Sequence, residues 1–203
     1  MTLMIRLVFL IVVMAGITAR SAHAAELCNI PTPAGPGCEV GIRTANFLPV
    51  QKQMSQVTCW AASFSNLLLY SNVHLPEPVI VAQVAGQPRL ADPMILNAML
   101  NRSYVDATGK SFQVSARATD NFFNTVRQIN NADIYAALKA DIPIFYSDDH
   151  HSMVVLQVLF VPSPAGPAPV DVVAADPDPN APSIRHLAPN EIQGMYAAIV
   201  SVQ

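Results

Sequence analysis

Seventeen prolines, none of them before Pro31, set the first limit on what this 203-residue chain can fold into. Proline removes a backbone donor and clashes with the preceding helical turn, so neither a long helix nor a central strand runs through it. Because these prolines punctuate apolar segments in a chain that is 52% apolar, they predict a globular domain of short elements with stiff loops. The length fits one domain and is ample for a buried core.

The proline-free opening is a different kind of sequence. Residues 1–25 hold no acid, Arg6 gives a positive start, Leu7 to Gly16 is an apolar run, and Ala22-His23-Ala24 is a small-x-small cleavage pattern. A membrane span takes roughly 20 apolar residues, and this run is shorter. The expectation is a signal peptide over residues 1–24, cut after Ala24, and a secreted or periplasmic protein with no stable membrane anchor. Losing Arg6 and Arg20 leaves 9 basic against 14 acidic side chains, a net charge of −5. With no basic run, nucleic acid is excluded as the main partner.

Export gives the cysteines their meaning. In an oxidising compartment thiols pair, and Cys28 and Cys38 bracket a Pro/Gly-rich segment (NIPTPAGPG) able to fold back on itself. Their pairing leaves Cys59 over, and an odd cysteine in an exported protein is an intermolecular partner or a reactive thiol.

Periodicity predicts helices over Thr58 to Asn72, with Thr58 as cap, Glu77 to Ala85, Asp92 to Asn101 and Ala132 to Ala140. Residues 25–50 read as extended and turn-rich, and residues 102–120 as a polar stretch without assigned structure. Pro143 to Tyr146, Ser152 to Val161, Val170 to Ala175 and Ala197 to Val202 read as strands, with Pro162 to Pro169 as a loop. A helical first half and a β second half imply an α+β domain of two lobes.

Cys59 stands where the first helix begins, near the positive end of its dipole and its unpaired N–H groups, which favour a thiolate and can hold an oxyanion. Gln53, six residues upstream, is a candidate second oxyanion donor. Of the histidines, His23 leaves with the signal, His74 lies in a Pro-bounded loop and His186 in a polar segment. His150 and His151 open the most hydrophobic strand (SMVVLQVLFV), on opposite faces, and His151 is favoured as the base with His150 as runner-up. If the next two strands pair as a hairpin, Asp176 returns beside His151, whereas Asp171 lies back along the strand and Asp178 requires a register slip. No metal or cofactor is expected, since no spaced second ligand set accompanies the DDHH segment.

Taken together, Gln53 six before Cys59, Cys59-Trp60-Ala61-Ala62 opening a helix, HSMVVLQV from His151 and Asp176-Pro177 make the chain resemble the papain-like cysteine proteases. The likeness is to their compact bacterial branch, with its plant-pathogen effector proteases and bacteriocin-exporter peptidase domains. The resemblance implies a papain-like two-lobed fold over residues 49–203, preceded by an extended disulfide-bonded segment over 25–48. It also implies a helical lobe with the cysteine, a small antiparallel β lobe with histidine and aspartate, and a peptide or protein substrate in the cleft between them. Two features depart from the family pattern: the acidic Ser147-Asp148-Asp149 before the histidine, and the absence of a long propeptide between Ala25 and Cys59. An endopeptidase is expected; a transglutaminase-like acyl transferase and an inactive secreted binding module are the alternatives.

Overall fold

The computed structural model describes residues 25–43, 49–119 and 127–203. The expected signal peptide lies outside them. The expected helices form as α1 (Cys59–Tyr70), α2 (Glu77–Val84), α3 (Pro93–Leu100) and α4 (Asn131–Lys139). Proline starts helices here as much as it ends them: Pro78 and Pro93 sit in the first turns of α2 and α3, where the missing N–H is no loss. Asp92 caps α3 by accepting from the Ile95 N–H at 2.8 Å. Asn130 and Asp133 form a reciprocal capping box on α4.

The strands are β1 (Ala25–Thr32), β2 (Gly35–Gly41), β3 (Arg102–Val105), β4 (Ser111–Ala118), β5 (Arg127–Gln128), β6 (Ile144–Ser147), β7 (Ser152–Ser163), β8 (Gly166–Ala175), β9 (Ile184–His186) and β10 (Tyr196–Val202). They join in one sheet, antiparallel everywhere except between β4 and β5. The central strand is β7. One of its edges is paired along most of its length by β8; the other is shared end to end by β6 and β2. Beyond β6 the order continues through β10, β4 and β3.

This sharpens or corrects the sequence reading in three places. Residues 25–41, read as extended and turn-rich, are a hairpin docked on β7. It lies close because Gly41 faces Gln157, where an added Cβ would come within 2.9 Å of the Gln157 Cβ. The stretch from Arg102 is the hairpin β3–β4, turned by Asp106, whose Oδ1 accepts from the N–H groups of Thr108 and Lys110. Strict alternation buries Phe112, Val114, Ala116 and Ala118 of β4, a period-2 signal present in SFQVSARA. Helices and strands therefore interleave along the chain, and the described residues form a mixed α/β structure around one large antiparallel sheet.

The third correction concerns the expected Pro162 to Pro169 loop, most of which is strand. The reversal is confined to Pro164-Ala165, followed by Gly166 at φ +103°. The β1–β2 reversal has the same chemistry: Pro33-Ala34, then Gly35 at φ +110°. In each, a hydroxyl just before the turn (Thr32 or Ser163) donates to the glycine carbonyl at 2.6 Å. Glycine is required because the chain must turn with positive φ to keep the strands' twist. Pro167 and Pro169 are tolerated in β8 because β9 pairs only with Val173 to Ala175, leaving that edge open beside them.

Ile144 to Ser147 and Ser152 to Leu156 are buried at every position, so both faces of the sheet are covered there. The helices packed on β6 and β7 are α1 and α4. Trp60, Phe64, Leu67 and Leu68 of α1 are fully buried or nearly so, and Phe64 meets Tyr104, which stacks on Phe112. No helix among the described residues is long and apolar enough to cross a membrane.

Cys28 and Cys38 are directly paired across β1 and β2 and form the expected disulfide. Closing so short a loop removes unfolded-state entropy worth about 2–3 kcal/mol. Replacing both cysteines by alanine should lower the unfolding free energy by about that amount, read from urea denaturation of oxidised wild type and variant.

Candidate active site

Cys59 is the first residue of α1 and is 6% exposed, at the foot of a small hollow of about 60 Å³ that it lines with Leu90, Ala91, Asp149 and His151. Thr58 does not cap the helix with its side chain, contrary to the sequence expectation. Its hydroxyl lies between the Ser55 carbonyl and the buried Glu77 carboxylate. The Thr58 carbonyl takes the Ala61 and Ala62 N–H groups, and the Cys59 N–H has no partner among the described residues. An open helix start beside a thiol is where developing negative charge is stabilised.

The helix is locked to the histidine strand by a side chain one turn further on. Ser63 donates to the Ser152 carbonyl at 2.7 Å, and the Ser152 and Ser147 hydroxyls are 2.9 Å apart. Trp60 donates its indole N–H to the Arg89 carbonyl at 2.9 Å, which brings Leu90 and Ala91 over the thiol.

Of the two histidines, His151 is the one bonded to a carboxylate: its Nε2 lies 2.7 Å from Asp176 Oδ1. Nδ1 is then the ring nitrogen left for the thiol. His150 is exposed at the groove edge. Asp178 does not reach the ring; it follows Asp176 in a turn, giving its own N–H to Asp176 Oδ1 at 2.8 Å. Asp171 pairs with His186 on the exposed edge.

The acidic loop before His151 divides its labour. Asp148 turns inward, and its Oδ1 accepts from the His150 and His151 N–H groups, each at 2.7 Å, while Oδ2 accepts from Tyr146. Burial pushes its carboxyl up, but those backbone and side-chain hydrogen bonds hold it below the usual range. Asp149 is exposed and lines the Cys59 hollow.

Two basic residues that the sequence reading did not single out fix Asp176. Arg185 Nε donates to Asp176 Oδ2 at 2.6 Å, and the far side of the guanidinium is held by both Glu191 oxygens at 2.7 and 2.9 Å. Lys52 sends its ammonium to three carbonyls of the following turn, those of Asp176, Asp178 and Ala181, at 2.8–3.0 Å. Beside it the Gln53 N–H donates to the Pro177 carbonyl. Neither role has a local sequence signal, because the partners lie on distant segments.

Gln53 thus sits on the His151 side of the cysteine, lining a polar hollow of about 460 Å³ with His151 and Asn180. Its Oε1 is buried without a hydrogen-bond partner. A buried amide left unsatisfied costs about 1–3 kcal/mol, and such groups collect where a ligand completes them. Among the described residues no cluster of three or more His, Cys, Asp or Glu side chains is arranged to hold a metal.

The electrostatics favour an ion pair. Burial pulls the His151 imidazolium down, but hydrogen bonds to Asp176 and Cys59 and the charges of both outweigh it, raising its pKa from 6.5 to about 10. Burial pushes Asp176 up, yet hydrogen bonds from His151, Arg185 and the Asp178 N–H bring it from 3.8 to about 2. The His151 contribution to stability is complete below pH 6.5 and fades as pH rises through about 10. The Asp176 contribution is complete above pH 3.8 and fades as pH falls through about 2. NMR of the His151 ring should therefore show it protonated at pH 8, with Asp176→Asn bringing its midpoint down toward the ordinary value near 6.5.

No protein-family model matches the chain, and no curated protein matches it.

Proposed function

We propose that the protein is an exported papain-like cysteine endopeptidase. What supports this reading is one juxtaposition: a thiol at an uncapped helix start and an imidazole hydrogen-bonded to a buried carboxylate, facing one hollow. In the papain-like architecture we infer, α1 to α3 form the helical lobe and the sheet around β6, β7 and β8 carries His151 and Asp176.

The chemistry follows from the atoms. Cys59 Sγ attacks the peptide carbonyl carbon, forming a C–S bond, and the carbonyl oxygen takes the charge between the Cys59 N–H and the Gln53 side-chain NH2. Collapse breaks the C–N bond as His151 gives its Nδ1 proton to the leaving amine. Water then attacks the thioester while His151 takes its proton; the C–S bond breaks and the thiolate is restored. Asp176 accepts from Nε2–H throughout and keeps the ring in this tautomer.

A second reading, a papain-like binding module without catalysis, is favoured by the burial of Cys59, which is 6% exposed. Trp60, which also follows the cysteine in transglutaminase-like acyl transferases, is accounted for by packing and its bond to Arg89.

Cys59→Ala should abolish cleavage of an unfolded protein substrate, and Gln53→Ala should lower kcat about 10²- to 10³-fold with a smaller change in KM. Rapid labelling of native Cys59 by an epoxysuccinyl peptide, lost on denaturation, is the expected result. Labelling only after denaturation would favour the binding module.

A further inference from the structure

The hollow at Cys59 is the middle of a longer groove. Toward β10 it shares Ala91, Ser147, Asp148 and Asp149 with a cavity of about 610 Å³, walled by Pro93, Leu96, Met195 and Tyr196. Toward the Asp176 turn it shares His150 and His151 with the polar hollow that contains Gln53. The nucleophile thus has room for chain on both sides.

Among the described residues no lysine or arginine lines any of the three parts, and the lining carboxylates are Asp92, Asp148, Asp149 and Asp178. Asp92 is engaged by the Ile95 N–H and by Arg89 at 2.9 Å, Asp148 by Tyr146 and two backbone groups, and Asp178 by Asn180. Asp149 is exposed, has no partner among the described residues, and stands where the large cavity meets the Cys59 hollow. The positive charge of His151 is matched by Asp176. A ligand crossing this junction therefore meets uncompensated negative charge between apolar walls, which screen it less than open water.

The rim adds a second, independent property. Met54 is 76% exposed and lines the polar arm, and Leu90 is 62% exposed over the cysteine. Large apolar side chains held open along one groove are what an extended peptide covers.

We propose that the groove selects extended cationic peptide segments, with a Lys or Arg side chain against Asp149 and apolar neighbours on Leu90 and Met54. This deepens the peptidase reading by naming its substrate class, and rests on that reading only for the cut itself. The binding step is tested without catalysis. In the Cys59→Ala protein, labelled peptides of one length that differ only in a central Lys, Gln or Glu are titrated by fluorescence anisotropy. The Lys peptide should bind about three- to tenfold tighter than the Gln peptide and the Glu peptide more weakly still, with the contrast shrinking at high salt. Adding Asp149→Asn should bring the Lys/Gln ratio close to one, whereas Asp171→Asn, outside the groove, should leave it unchanged. Equal binding of Lys and Glu peptides, a ratio indifferent to Asp149→Asn, or no binding of any peptide would overturn the proposal. With the unmutated protein, cleavage sites in a mixed peptide library should be enriched in Lys or Arg within three residues of the cut. Cleavage without that enrichment defeats the charge selection alone; charge-selective binding without cleavage defeats the peptidase reading and leaves the groove's preference standing.

Discussion

The pairing of β7 with β8 fixes where His151 and Asp176 can be. From the Pro164-Ala165 turn the ladder runs in one register until Val170 bulges out of β8, shifting it by a residue; Leu156 then bulges out of β7 and restores it. The last pair is Val154 with Ala175, so the continuation sets Asp176 across from Met153, on the face His151 shares, one diagonal step away. Had the Val170 bulge gone uncompensated, Asp176 would lie across from Val154, on the face of His150, because a one-residue slip exchanges faces. The second bulge cancels the first, so the register set at the turn decides which of two adjacent histidines meets the carboxylate.

What β7 and β8 establish, distant side chains preserve. Asp176 has two oxygens and both are assigned, one to His151 and the Asp178 N–H, the other to Arg185, so the carboxylate cannot rotate without breaking a charged hydrogen bond. Lys52 binds the carbonyls of the turn after Asp176 and lies seven residues before Cys59, so it ties the thiol's approach segment to the histidine's partner. Glu77 acts on the same segment from α2: it takes the Met54 N–H and the Thr58 hydroxyl. The arrangement is held from outside the reacting atoms: Lys52 is satisfied by backbone carbonyls, and Arg185 by the carboxylates of Asp176 and Glu191.

These particulars explain what the sequence made legible. α1 announced itself through Trp60, Phe64, Leu67 and Leu68, and the β7–β8 pairing through two Val-rich runs; the nearness of Asp176 to His151 followed from a hairpin alone. The β3–β4 hairpin is hard to see although Phe112, Val114, Ala116 and Ala118 alternate, because the polar residues between them resemble a loop. The Pro164-Ala165-Gly166 reversal hides inside the Pro162 to Pro169 segment, which reads as a loop because proline counts as a breaker while glycine's positive φ has no sign in the sequence. Arg185, Glu191 and Lys52 have no local signal at all: each is defined by a partner made adjacent only by the fold, and the two compensating bulges of β7 and β8 leave no mark in residue type.

Thr58 shows how the missing cap and the buried carboxylate belong to one solution. A threonine before a helix ordinarily satisfies a first-turn N–H with its own oxygen. Here Glu77 draws the hydroxyl away, and the same carboxylate fastens Met54, so the loop carrying Gln53 is ordered by the interaction that uncaps α1. The helix forgoes a cap worth about 1 kcal/mol; the Cys59 N–H, at the first helical position, has no intrahelical partner in either case. The hydroxyl that could have capped the Trp60 or Ala61 N–H instead holds the segment before the thiol, so one residue exchanges local helix stability for the order of its neighbouring loop.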